Sequence, residues 1–257
     1  MIYIDKYAYF NRLKDVHPVE KFSLAIFTLF ITVASNSIFI PAISFAIMSL
    51  IILLAARIPL FFYAKLLLLP LFFLFAGVLS VATNLNDQDM ICSVLFTGHR
   101  FCVSASSLNE AVKIFTKSMG SISCLYFLVL TVPVTEIINI LKKFKTPILF
   151  LELLVIVYKF IFIIFETMDR IYISQKSRMG YENYKLSYKS LSKLISSVFI
   201  ISLKRYEDLY HALESRCFTG DFHFYQRKYN FSKINIFVIF MFDGILLAMS
   251  FFSRGQF

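Results

Sequence analysis

The sequence contains little charge for its length. Only 16% of its 257 residues are Asp, Glu, Lys or Arg, whereas 58% are hydrophobic, and the mean hydropathy is +0.73. A soluble domain of this size cannot bury so large an apolar fraction. The scarcity of charge therefore argues against a soluble globular protein and predicts an all-α integral membrane protein.

The sequence also lacks a recognisable catalytic motif. It has no glycine-rich phosphate loop, and no serine or cysteine nucleophile comes with a recognisable base. His17, His99, His211 and His223 are scattered along the chain, which argues against a shared metal site. We therefore expect a non-catalytic protein that holds no metal and no cofactor of its own.

Cysteine is scarce as well. The four cysteines show no spacing typical of a metal site. Only Cys92 and Cys102 could share a compartment outside the membrane, and their spacing alone does not decide whether they pair.

Long apolar runs predict about five membrane-spanning helices. Residues 1–21 are polar and are interpreted as a cytoplasmic N-terminal arm, and residues 22–132 contain four predicted spans. A last span and the tail occupy residues 233–257. The predicted spans are 22–35, completed by the arm from about His17, and 38–56, 66–83, 111–132 and 233–252.

The positive residues predict the topology, because Lys and Arg collect on the cytoplasmic side of membrane spans. Residues 84–110 carry three acidic side chains against Arg100 alone, which indicates the outer face. Residues 133–232 carry a heavy positive load and are expected to form a cytoplasmic and interfacial region of long amphipathic coupling helices. The protein is therefore predicted to cross the cell (inner or plasma) membrane several times, with its N-terminus in the cytoplasm.

One segment of that region, residues 148–165, has two interpretations. It is apolar enough to span, but a crossing would place the following basic residues on the outer face. Its charged residues, including Glu152 and Lys159, fit a helix in the membrane interface, and this is our prediction, with a re-entrant or sixth span as the alternative. Thr146 is expected to cap this helix, with Pro147 at its first position.

The next segment, residues 186–216, carries apolar residues at intervals of three and four and predicts one long amphipathic helix. Arg178 and Arg216 each follow a tyrosine by six residues, at the end of a helical run and shortly before a glycine. One such ending is ordinary, because a basic residue complements the helix dipole and glycine ends the helix. Two similar endings on a membrane protein suggest two similar sockets on a soluble partner. The residues predicted to enter them are Ser177, Arg178, Met179, Gly180, Ser215, Arg216 and Cys217.

Asp243 is a carboxylate inside the last predicted span. Such residues usually face protein rather than lipid, because a charge in lipid is costly. Gly244 beside it would allow another helix to approach closely. We favour an intramembrane helix contact for Asp243 over a direct role in transport.

Several stretches resemble CbiQ, the transmembrane T component of cobalt transporters of the energy-coupling factor type, and the resemblance runs nearly end to end. The arm resembles the family's opening in residues 5–13 and in the run His17-Pro18-Val19-Glu20-Lys21, and residues 123–133 resemble a second family stretch. The two arginine segments resemble the Ala-Arg-Gly-like signatures by which T components engage two ATPase subunits. This chain has serine where alanine is common, at 177 and 215, and Met179 and Cys217 where glycine is common.

The resemblance implies the coupling subunit of an ATP-driven cobalt importer. Its implied partners are a pair of CbiO-like ATPases, which would use the ATP, a CbiM-like substrate-binding membrane subunit, which would bind the metal, and a small accessory membrane subunit. Membrane lipid would surround the chain, and no nucleic acid is expected. The alternatives are the same role for nickel or a vitamin, a membrane anchor for soluble proteins, and a self-sufficient secondary carrier, which would need more paired intramembrane ionisable residues than Asp243 supplies.

Overall fold

The computed structural model describes residues 3–82, 92–96, 99–103, 105–217 and 233–254. Within these ranges the chain is helical apart from one short hairpin, so the predicted all-α fold class is confirmed for the body of the protein. The helices are α1 Tyr3–Phe10, α2 Pro18–Ala34, α3 Phe39–Leu50, α4 Leu60–Ala82, α5 Ala105–Thr131, α6 Val134–Lys143, α7 Ile148–Ser177, α8 Tyr184–Glu214 and α9 Lys233–Arg254. A 3-10 turn, Arg12–Asp15, precedes α2, and a π-helical turn, Ile51–Ala55, extends α3.

The hairpin lies in the segment that the sequence analysis treated only as a polar outer loop. Its strands, β1 Cys92–Phe96 and β2 His99–Val103, pair in antiparallel register. Cys92 lies opposite Val103, and Cys102 lies opposite Ser93. The two cysteines are therefore not directly paired in this register.

Four of the described helices are long and apolar enough to cross a membrane by length and composition. They are Leu60–Val78, Asn109–Thr131, Ile148–Ser177 and Tyr184–Glu214. Phe39–Ala55 and Ile239–Ser250 are shorter apolar helices. The chain is therefore a multi-pass membrane protein.

The first predicted span begins where the sequence indicates. The side chain of His17 caps α2, because its Nδ1 accepts a hydrogen bond from the Val19 amide at 3.1 Å. Pro18 occupies the first turn, where its fixed φ suits a helix and its missing N–H costs nothing. The helix of the first predicted span therefore begins beside His17, as expected, whereas α2 is not among the helices that qualify as spans by length and composition, so its crossing of the membrane stays a prediction.

Chain contacts divide the protein into two units, which are described separately. The first comprises Ile2–Ile137 and Arg227–Phe257, and in it α5 packs against α1, α2, α3 and α4, while α9 packs against α2 and α3. Gly120 permits the close approach of α5, since a Cβ there would lie 2.8 Å from both Pro41 O and Thr32 Cγ2. A glycine at a helix crossing permits such close approach, as is typical of interfaces between membrane helices.

The second unit, Ile138–Gln226, contains α7 and α8. α7 is one continuous helix of 30 residues, longer than the predicted apolar segment, and α8 agrees within two residues with the predicted amphipathic helix. The expected threonine cap of α7 is wrong. The Thr146 hydroxyl donates to Leu141 O at 2.9 Å, so it closes the preceding helix, and Pro147 occupies the capping position.

Candidate functional site

The first arginine turn, residues 177–180, closes α7. The Met179 amide donates to Lys176 O at 3.0 Å, and the Gly180 amide donates to Gln175 O at 2.9 Å. Met179 has a φ of 62°, in the left-handed region that favours glycine. This pair of bonds with a left-handed residue is a Schellman ending, in which methionine stands where glycine is usual.

The second arginine turn, residues 215–217, closes α8 with the same local geometry. The Arg216 amide donates to Leu213 O at 3.1 Å, and the Cys217 amide donates to Glu214 O at 3.0 Å. Cys217 has a φ of 53°. In both turns the residue after the arginine is left-handed and bonds three residues back, so the duplication seen in the sequence is also a duplication of backbone conformation.

Both turns present their side chains to the surroundings. Arg178 and Arg216 are exposed, as are Met179 and Cys217. Within the part of the chain that the structure describes, neither guanidinium has a carboxylate partner. Each arginine therefore has donors available for an acidic surface on another molecule.

The serines of the two turns bond to their own helices. Ser177 Oγ donates to Ile173 O at 3.0 Å, and Ser215 Oγ donates to Ala212 O at 3.1 Å. A hydroxyl satisfied in this way is compatible with a helix end. The presence of serine where the family commonly has alanine therefore leaves the backbone of each turn intact.

A polar network holds the first turn against the start of α8. Gln175 Nε2 donates to Ser190 O at 3.1 Å, and Ser190 Oγ donates to Gly180 O at 2.8 Å. Tyr181 OH donates to Gln175 Oε1 at 2.7 Å. A Cβ on Gly180 would lie 2.8 Å from Gln175 O and 2.9 Å from Ser190 Oγ, so only glycine fits here. These side chains connect both helices and the turn between them.

The described contacts near the second turn lie along α8 itself. The rings of Tyr206 and Tyr210 are 6.5 Å apart, and those of Tyr210 and His211 are 5.9 Å apart. His211 Nδ1 lies 3.9 Å from Glu214 Oε2, with both side chains exposed. The two turns thus share a backbone conformation but differ in the side-chain contacts described around them.

The N-terminal arm makes contacts that the sequence analysis missed. Lys21 Nζ donates to Leu13 O and to Thr131 O, each at 3.0 Å, and Asn11 Nδ2 donates to Leu130 O at 3.1 Å. The carbonyls of Leu130 and Thr131 end α5, where a helix leaves its last C=O groups without internal donors. A cation at this end also complements the helix dipole. The arm therefore fixes the end of α5 just before α6 begins.

The only sequence signal for this cap was the resemblance, because the arm and residues 123–133 are the two stretches that carried it. Neither stretch by itself indicates that it contacts the other. The hydrogen bonds join residues more than a hundred positions apart.

The described residues contain no group of three or more His, Cys, Asp or Glu side chains that could hold a metal ion. His17 caps α2 and His211 lies beside Glu214 on α8, whereas His223 falls outside the described residues. Asp243 lies buried in α9, in the other unit from the arginine turns.

Together, the helices and the two turns define a multi-pass helical membrane protein in which two long helices end in exposed arginine turns. A family model described as CbiQ, cobalt transport protein, matches residues 11–226. The chain belongs to the CbiQ family, the T components of energy-coupling factor transporters. Members of this family are non-catalytic membrane components without a bound cofactor.

Three curated proteins are similar over most of this chain. An uncharacterized protein of Methanocaldococcus jannaschii is 29% identical over 98% of this chain and 93% of its own length. The cobalt transport protein CbiQ of Salmonella typhimurium is 25% identical over 86% of this chain and 98% of its own length. A protein of Methanocorpusculum labreanum, named as a fused cobalt transport protein CbiMQ, is 24% identical over 96% of this chain, which spans 41% of that protein.

Proposed function

We propose that this protein couples ATP hydrolysis by two ATPase subunits to the movement of a substrate-binding membrane subunit in a cobalt importer. The observation that carries the proposal is the pair of exposed arginine turns with one backbone conformation. Two helix ends with the same backbone conformation can occupy two identical binding sites, and a symmetric pair of ATPases provides two identical sites.

The chemistry of each turn suits insertion into an acidic groove. The left-handed residue after each arginine reverses the chain, so the guanidinium stands at the apex of a helix end. A guanidinium binds a carboxylate through charge-assisted and often bidentate hydrogen bonds. Each such bond contributes about 1.5–3 kcal/mol.

Movement would reach the membrane through α7 and α8. If ATP draws the two ATPases together, their sockets shift relative to each other, and helix ends held in both sockets must shift as well. The network of Gln175, Gly180, Tyr181 and Ser190 would carry motion at the first turn into both helices. ATP can drive the change only if the two arrangements differ in contact free energy.

The proposed partners follow from the family and its relatives. CbiO-like ATPases would hold the two turns, and a CbiM-like subunit would bind cobalt. The fused relative supports the second partner, because its printed name joins CbiM and CbiQ in one polypeptide. In this arrangement the N-terminus and the arginine turns lie in the cytoplasm, and α7 lies in the membrane interface.

The test is co-purification and uptake with Arg178→Glu, Arg216→Glu and the double variant, coexpressed with CbiO-like and CbiM-like subunits. We expect each single variant to weaken ATPase co-purification and the double variant to abolish it together with ATP-dependent cobalt uptake. Breaking one side of a partly buried ion pair costs about 3–5 kcal/mol. Arg205→Glu, an equal charge change at an exposed position of α8, is the matched control and should behave as wild type.

Retention of both ATPase association and uptake by the double variant would overturn the coupling role. Nickel is the alternative cargo, and uptake of both labelled metals by the wild-type complex separates the two.

A further inference from the structure

A groove of about 590 Å³ lies between α2 and α9, within the first unit. Its walls are mainly apolar and include Phe27, Phe30, Phe240 and Leu247, all of which are exposed. The described part of this unit therefore leaves a large concave apolar surface along two membrane helices.

A carboxylate is buried in the wall of this groove. Asp243 is only 7% exposed, and among the residues that the structure describes none donates a hydrogen bond to its Oδ1. A buried polar atom without a partner is costly, and intramembrane carboxylates normally pair with donors. The wall of the groove therefore holds a carboxylate with one enclosed oxygen that the described chain leaves unsatisfied.

The residue after Asp243 leaves space for another molecule. Gly244 also lines the groove, and a Cβ built on it meets nothing within 4 Å. Packing within the described chain does not require a glycine here, in contrast to Gly120. Glycine on a membrane helix permits the backbone of a second helix to approach closely.

The position of Asp243 along α9 favours a protein donor over a lipid headgroup. Asp243 lies ten residues beyond the start of the 22-residue helix, about 15 Å along its axis from either end. The hydrocarbon core of a bilayer is about 30 Å thick, so if α9 crosses it along its whole length, Asp243 lies near the middle of the membrane. A headgroup amine would have to leave the interface to reach the carboxylate, whereas a side chain on a transmembrane helix can stand opposite it.

We propose that the groove between α2 and α9 is a docking site for one transmembrane helix of the CbiM-like subunit, which lies against Gly244 and presents a hydrogen-bond donor to Asp243. This inference rests on the proposed function for the identity of the occupant. The donor would be a Lys, Arg, Ser, Thr, Asn or Gln side chain near the middle of that helix. The apolar rim would cover the remainder of the docked helix.

The first test uses two substitutions that spare the packing of this chain. Gly244→Leu fills the space that the second helix would enter, and Asp243→Leu keeps the number and branching of the side-chain heavy atoms but removes both acceptor oxygens. We expect each to reduce co-purification of a tagged CbiM-like subunit by about tenfold, which corresponds to the loss of an interhelical contact of about 1.4 kcal/mol. Gly77→Leu on α4 is the matched control, because a Cβ at Gly77 also meets nothing within 4 Å and the glycine is equally exposed.

The second test locates the contact. A photoreactive amino acid at Phe240, on the groove rim, should cross-link to the tagged CbiM-like subunit in membranes of the full complex. The same probe at Phe72, an exposed position on α4, should not. Cross-linking of position 240 to lipid alone, or unchanged co-purification in both groove variants, would overturn the proposal.

The two proposals fail in different ways. The groove variants should retain the ATPases while losing the CbiM-like subunit, whereas the arginine variants should lose the ATPases. If the arginine variants keep the ATPases, the coupling role is wrong whatever the groove variants do. If only the groove variants behave as wild type, the docking site is wrong and the coupling role stands.

Discussion

Met179 and Cys217 carry left-handed backbone conformations that ordinarily favour glycine. Both side chains are exposed and follow an arginine at a helix end, so the family's usual glycine at these positions has a physical reason. A left-handed conformation costs a residue with a Cβ about 1–2 kcal/mol. Their retention here indicates that the hydrogen bonds of the turn compensate for the strain.

At the residue scale, Met179→Gly should relieve the strain and leave the turn formed. We expect slower amide hydrogen exchange at residues 179 and 180, corresponding to about 1 kcal/mol of added local stability. Gly180→Ala should do the opposite, because its Cβ would lie 2.8 Å from Gln175 O. Equal exchange rates in both variants would contradict the strained turn.

A second residue-scale prediction concerns Lys21. Lys21→Met removes two hydrogen bonds from a cation, to Leu13 O and to Thr131 O, and leaves these carbonyls with one donor each, the Val16 amide and Asn11 Nδ2. We expect a loss of about 1–3 kcal/mol, measured as a lower free energy of unfolding in detergent. Lys14→Met, at an exposed position of the same arm, is the control and should unfold as wild type.

At the scale of elements, the two arginine turns differ in what supports them. The first is bonded to α8 through Ser190, and the described contacts of the second run along α8 alone. The first turn should therefore move as part of a helical hairpin. The second should respond more locally.

Ser190→Ala tests this difference. Loss of the hydroxyl should speed hydrogen exchange at Gly180 and leave the Cys217 amide unchanged, because only the first turn depends on this bond. ATP-dependent uptake should fall while ATPase binding through Arg216 remains. Ser192→Ala, at a nearby exposed position of α8, is the control. A matching change at Cys217 would mean that the two turns are coupled.

At the scale of the whole molecule, α7 and α8 have two possible arrangements: they lie in the membrane interface or they cross the bilayer. Both pass the length and composition requirements of a span. If both crossed, the first arginine turn would lie outside and the second inside. If they lie in the interface, both turns face the cytoplasm, as the positive residues of this region favour.

Cysteine labelling separates these arrangements. In a chain without other cysteines, Ser177→Cys and native Cys217 each provide an exposed thiol at one turn. We expect a membrane-impermeant maleimide to label neither site in intact cells and both in inside-out vesicles. Labelling of position 177 from outside would show that α7 crosses the membrane. The Cys217→Ser chain without added cysteine provides the background.

Much of the helical layout was predictable, because the signals are local. Apolar runs and the His17-Pro18 start indicated the helix α2, and the periodicity of residues 186–216 indicated α8. The prediction was wrong where the same local residue pattern is compatible with two different structures. Thr146 resembles a cap but bonds backward to Leu141, and the polar segment after α4 contains a hairpin rather than only a loop.

The sequence by itself determined the membrane class, the long apolar and amphipathic helices and the positions of the two arginine turns, since hydropathy, helix periodicity and helix endings depend on neighbouring residues. Only the tertiary structure decided which distant groups meet. It joined Lys21 to the end of α5, braced the first turn through Ser190, and placed Asp243 beside an open groove. The physical reason is that hydrogen bonds and helix packing between distant segments depend on the folded path of the chain, which no local pattern encodes.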